Sequence, residues 1–184
     1  MRLSFNKKRF KKVSLISVSV FSIVVITGCI FYQTGFRINL TSSLPLGIWK
    51  IDKSFARIEK GDYVWFTPTK KIADFALKRG YLEKNTNCEN NAIPLLKIVY
   101  GLPGDKYSFH QNAIRINNVP VKNLKRRETD SKDRPMPKIS NGIIRENQLF
   151  VLTMHSHSYD SRYYGTIPIE NVIGTAKPIL TWMN

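Results

Sequence analysis

From position 13 to position 32, twenty consecutive residues carry no charge, reading VSLISVSVFSIVVITGCIFY. At the rise of an α-helix such a run matches the hydrocarbon thickness of a bilayer and predicts one transmembrane segment. After a short connector at 35–43, the period of the pattern shortens. Apolar stretches at 46–52, 63–66, 95–100, 106–109, 113–116, 149–153 and 171–179 are separated by turn residues and predict strands. Asn117-Asn118 lies between IRI and VPV and predicts a tight hairpin, with Pro120 pushing the second arm to a sheet edge. Helical spacing returns at 70–78, where Ile72, Phe75 and Ala76 share a face and Gly80 can end the helix. The polar stretch 122–139, with Pro135 and Pro137, predicts an exposed loop or insertion. The chain therefore reads as a basic segment at 1–12, an anchor at 13–32 and one mainly β domain at 33–184.

Charge gives the anchor a direction. Of the formal net charge of +16, six basic residues and no acidic ones fall in the first twelve positions. Such a cluster stays in the cytoplasm, which places the β domain on the outer face of the membrane. The remaining positive charge suits contact with anionic headgroups, and no nucleic-acid-binding motif accompanies it. Cys29 lies inside the apolar run and Cys88 outside it, so a structural disulfide between them is not expected. The string ITGC at 26–29 resembles a lipoprotein cleavage box, which would leave Cys29 lipidated. The long apolar core and the poor small-x-small exit favour an uncleaved anchor.

Three segments carry candidate chemistry. The first, TSSLPLG at 41–47, offers Thr41, Ser42 and Ser43 just beyond the membrane and before a Pro and a Gly that stiffen the turn; taken alone, a polar linker after a helix is the ordinary explanation of such a string. In the second, Lys97 interrupts an apolar strand. If that strand alternates, Lys97 shares a face with Leu95 and Val99, where lost hydration would lower its pKa and let it act as a base toward a serine hydroxyl. An edge-strand lysine reaching solvent is the alternative. The third, SYDSRYYG at 158–165, sets Asp160 close enough to Arg162 to pair, with Ser158 on the same side as Asp160, although on its own the string also fits an ordinary surface ion pair.

Taken in order, these segments resemble the type I signal peptidase family, and most closely its TraF-type conjugative-transfer branch. The resemblance runs through SLPLG at 43–47, KGDYVWF at 60–66, LKIVYGLPGD at 96–105, RPMP at 134–137 and SYDSRYYG at 158–165. It implies a signal-peptidase-like β-ribbon domain with Ser43 as nucleophile and Lys97 as general base. Ser158 would orient the lysine, and Asp160 and Arg162 would brace the site, with Asp160 a candidate for a closer part in catalysis. Thr41 matches a position whose hydroxyl assists the oxyanion hole. No metal or other cofactor is implied, and His155 and His157, without a third nearby ligand, read as polar loop residues. The implied partner is a membrane-bound precursor, pilin-like or bearing a signal peptide. A general signal peptidase and a catalytically silent anchored subunit are the competing readings. Two departures from the family stand out: Ile98 in place of the usual Arg, and MHSH at 154–157 in place of the lead-in common to general signal peptidases.

Overall fold

The computed structural model describes residues 7–41 and 43–183. The start of the expected basic segment, residues 1–6, lies outside the described residues, as does Ser42. The chain divides into two units, Met1–Arg37 and Ile38–Asn184. The first holds helix α1, Lys7–Gln33, whose stretch Lys11–Gln33 is long and apolar enough to cross a membrane.

The described part of the second unit is mainly β, in two sheets. Strands β1 (Phe36–Asn39), β2 (Leu46–Asp52), β3 (Tyr63–Phe66) and β4 (Leu95–Gly101) belong to the larger sheet, and helix α2 (Lys70–Arg79) lies between β3 and β4 in the chain. Strands β5 (Lys106–His110), β6 (Ala113–Ile116), β7 (Val119–Lys125) and β8 (Gly142–Ile143) form the smaller one. The chain then returns to the larger sheet with β9 (Gln148–Leu152), a short helix α3 (Ser161–Tyr164), β10 (Ile167–Pro168) and β11 (Val172–Met183). The larger sheet has the order β1-β2-β11-β3-β4-β9-β10 and the smaller β7-β6-β5-β8.

Alternation builds the cores. On β3, Val64 and Phe66 enter one cluster with Val99, Leu149 and Val151, while Tyr63 and Trp65 pack on the other face against Trp49, Leu96 and Ala176. β9 is apolar on both sides because it serves two cores. Leu149 and Val151 join the first cluster, and Phe150 and Leu152 pack with Ile114 and Leu124 of the smaller sheet and with Ile144 just after β8. The expected hairpin is present: Asn117 and Asn118 both have positive φ, as a type I′ turn requires, and Pro120 sits on β7, a sheet edge. Helix α2 ends on Gly80 at φ 71°, where the amide of Tyr81 donates to Ala76 O at 2.8 Å and closes the last turn.

Two expectations change. The connector at 35–43 contains β1. The stretch 122–139 is largely exposed but is not simply a loop: its first residues lie in β7, and Leu124, Asp130 and Met136 are buried. Polar composition concealed these anchors because Asp130 is buried by pairing, not by apolarity.

Candidate active site

Strand β4 delivers Lys97 to the interior. Lys97 lies opposite Val64 of β3, and its neighbours at i±2, Leu95 and Val99, belong to the same core face, as strict alternation demands. Only 4% of Lys97 is exposed, so the reading of a solvent-reaching edge lysine does not apply. Burial lowers its pKa from 10.5 to about 8; Asp160 opposes this shift and Arg162 adds to it. Its ammonium donates to Ser158 Oγ at 2.8 Å, also in a buried position.

Ser158 is held from behind. Asp160 and Arg162 are fully buried, and the guanidinium grips the carboxylate with both prongs, Nε to Oδ1 and Nη2 to Oδ2, each at 2.7 Å. This pair is an interior one, against the default of a surface ion pair. Arg162 also donates to the carbonyls of His155 (2.8 Å), Ser158 (3.1 Å) and Ser156 (3.3 Å), which fixes the turn that carries Ser158. Asp160 accepts the amides of Arg162 and Thr153, capping α3 and tying it to the end of β9. Every charge in this unit has a partner, as burial requires.

The serine loop has its own anchor, Asn39 at the end of β1, which is buried. Its Nδ2 donates to the carbonyls of Thr41 (3.1 Å), Leu44 (3.1 Å) and Pro45 (3.0 Å), and its Oδ1 accepts the Thr41 amide (3.1 Å) and hydroxyl (2.7 Å). One side chain thus folds the bend from which Ser43 projects. Thr41 Oγ1 is engaged with Asn39, so it would have to release that bond before donating elsewhere.

Ser43, half-buried, Lys97, Ser158 and Thr41 line one cleft of about 500 Å³ with an apolar floor that includes Trp65, Ile93, Pro94 and Leu95. Among the described residues, the side-chain hydrogen bond of Lys97 runs to Ser158 and none is found to Ser43. Asp160 and Arg162 stand behind Ser158 and are not among the lining residues. Residues that sequence reasoning missed also face the cleft: Asn39, Tyr81, Tyr159 and both histidines. His155 and His157 are brought there by the turn that Arg162 grips. Asn39 could have been suspected from its place two residues before a threonine at the start of a tight bend, where an amide side chain can close the turn on itself.

A family model described as signal peptidase, peptidase S26, matches residues 10–182. A conjugal transfer protein TraF of Agrobacterium fabrum C58 is 34% identical over 149 residues, covering 80% of this chain and 84% of that protein. One from Agrobacterium tumefaciens 15955 is 33% identical over 168 residues, covering 90% of each. A plasmid transfer protein TraF of Escherichia coli is 29% identical over 155 residues, covering 82% and 86%. A crystal structure of a signal peptidase I from Enterococcus faecalis V583 aligns at 21% identity and a TM-score of 0.40, over 66% of this chain and 97% of that one. With the match to the family model running through nearly the whole chain and the TraF proteins 29–34% identical to it over 80–90% of its length, the chain belongs to the signal peptidase S26 family, in its TraF-type branch.

Proposed function

We propose that this chain is a membrane-anchored serine endopeptidase that cleaves pilin-type or signal-peptide-bearing precursors at the outer face of the inner membrane, in the service of conjugative pilus assembly. The observation that carries the reading is a lysine buried at the end of a cleft that Ser43 also lines. A lysine with a pKa of about 8 is substantially neutral at mildly alkaline pH and can take a proton. The relatives' names, conjugal and plasmid transfer proteins, supply the setting.

In the reaction, neutral Lys97 removes the Ser43 hydroxyl proton as the oxygen attacks the scissile carbonyl. Ser158 holds the lysine on target, and Asp160 with Arg162 keeps Ser158 in place. The amide of Ser43 stabilises the oxyanion, and Thr41 joins it if its hydroxyl leaves Asn39. Collapse of the tetrahedral intermediate passes the proton from Lys97 to the leaving amine and leaves an acyl-enzyme on Ser43. Water then releases the product, or an amine of the substrate does so and closes a ring. The apolar cleft floor suits small apolar residues before the cut, and an anchor so near Ser43 in sequence places the cut close to the bilayer.

Replacing Ser43 or Lys97 by Ala in the full-length chain is expected to abolish precursor processing, read as the mass shift of a co-expressed pilin-like membrane protein. Full processing by either variant would instead leave the chain as a silent anchored subunit. Cleavage of many unrelated preproteins would make it a general signal peptidase.

A further inference from the structure

Beside the cleft lies a smaller cavity of about 90 Å³, walled in part by Arg127, Thr129, Asp130 and Ser131. It shares Tyr81, His157 and Tyr159 with the cleft, and Tyr159 directly follows Ser158. Shared side chains thus divide two neighbouring chambers, and nothing in the reaction above uses the second.

Its frame is rigidly built. Asp130 accepts from Tyr81 Oη (2.6 Å), Arg134 Nε (2.8 Å), Arg79 Nη1 (3.2 Å) and the amides of Lys132 (2.9 Å) and Arg134 (3.0 Å). Burial works against its charge, but these donors, Tyr81 and Arg134 foremost, hold its carboxyl well below the usual carboxylate range. Arg134 Nη2 also donates to the carbonyl of Arg79, and Arg79 Nη2 to that of Pro135, so the RPMP segment is stapled to the end of α2. Two guanidinium groups meet one carboxylate. The frame is left positive.

Arg127 adds a third cation. Its amide donates to Tyr163 Oη at 2.9 Å, which fixes its backbone, and its Nη1 lies 3.1 Å from His157 Nε2. Arginine only donates, so His157 accepts there. Among the described residues, no carboxylate lies within ion-pair distance of Arg127. Asp130, already saturated, is the sole acid in the wall. An unneutralised guanidinium, aimed by a histidine over a small chamber whose wall includes Thr129 and Ser131, fits one chemical class.

We propose that this chamber is a second substrate subsite, in which Arg127 binds a carboxylate of the polypeptide held in the cleft and His157 positions the guanidinium. The inference rests on the peptidase reading, since a chain lying past Ser158 and Tyr159 is what brings the carboxylate within reach. The carboxylate is either an acidic side chain or a chain end.

The test uses the full-length Ser43→Ala chain in detergent micelles, so that peptides bind uncut. The probes are an alanine-rich fluorescent peptide with a free C-terminus against its C-terminal amide, and the amide carrying an internal Glu against Gln, followed by anisotropy. The carboxylate member of one pair should bind about fivefold tighter than its neutral twin, the strength expected of a partly exposed ion pair. Adding Arg127→Gln should make the twins equal and leave the neutral peptide's affinity unchanged, while Arg127→Lys restores part of the preference. The pair that shows the effect tells a chain end from a side chain. Equal binding within both pairs, no binding by any peptide, or a preference that survives Arg127→Gln overturns the proposal. The peptidase reading is judged apart from this, because loss of processing in Ser43→Ala with no carboxylate preference would keep that reading and remove the subsite alone.

Discussion

At the scale of the residue, Lys97 is placed against its own ionisation. Its ordinary value of 10.5 holds in the unfolded chain, and burial brings the folded value to about 8. Between these values the unfolded chain holds the extra proton, so stability rises with pH from about 8 to about 10.5 and the penalty is complete below 8. Lys97→Met removes the penalty. The variant should be more stable than the parent by about 3 kcal/mol at pH 7, with the gap closing by about pH 10.5, as read from urea melts at both pH values. Equal gaps at the two pH values would refute this. Processing by the parent should follow the same titration, rising with pH through a midpoint near 8 as the base loses its proton; a rate flat from pH 6 to 9 would remove Lys97 from that role. On the proposed reading, the position gives up stability for a base that works at mildly alkaline pH.

At the scale of the element, the bend that carries Ser43 depends on one amide side chain. Asn39→Ala would leave the carbonyls of Thr41 and Leu44 without this donor and Pro45 O with the Trp49 indole alone, at a cost of about 1–3 kcal/mol. We expect kcat to fall at least tenfold with KM little changed, because the cleft floor is untouched, and the pH midpoint to stay near 8; a rise in KM alone would assign Asn39 to binding. The contrast between this bend and the strands shows what was legible in the sequence. Strands β2, β3 and β6 were readable to the residue because burial alternates along each, and α2 to within one residue because Gly80 marks its end. Alternation also foretold the burial of Lys97. Strand β1 was not readable, being four residues that precede a polar turn, and β11 was read four residues too short at the end occupied by Leu180 and Trp182, which are exposed and lack the alternating burial that marks a strand. The chambers beside Ser158 were hidden for another reason. Tyr81, Arg127, Asp130 and His157 are scattered over three segments, and only pairing distances bring them together.

At the scale of the whole molecule, the proposed function gives the first unit, Met1–Arg37, the membrane and the second, Ile38–Asn184, the substrate. Reading Lys11–Gln33 as a retained anchor with its basic end inside makes Cys88 an outside residue and keeps Cys29 in the bilayer. A membrane-impermeant maleimide added to spheroplasts should label Cys88 and leave Cys29 unmodified, and the mature mass should include the residues before Cys29. A mass beginning at a lipidated Cys29 would replace the anchor with a lipoprotein tether. The domain outside is knit together by its last strand: β11 lies between β2 and β3 and pairs antiparallel with both. Where it passes the serine loop, Gly47 has φ 155°, and a Cβ there would fall 2.1 Å from Leu180 O, so the two backbones touch with no room for a side chain between them. The bend bearing Ser43 is therefore shaped against residues made some 130 positions later. On the proposed topology, a chain still on the ribosome would have its anchor in the bilayer and its serine outside before the strand that seats that serine is made. On that reading protein synthesis acts as a timer, because the bend bearing Ser43 takes its shape only once synthesis has passed Leu180.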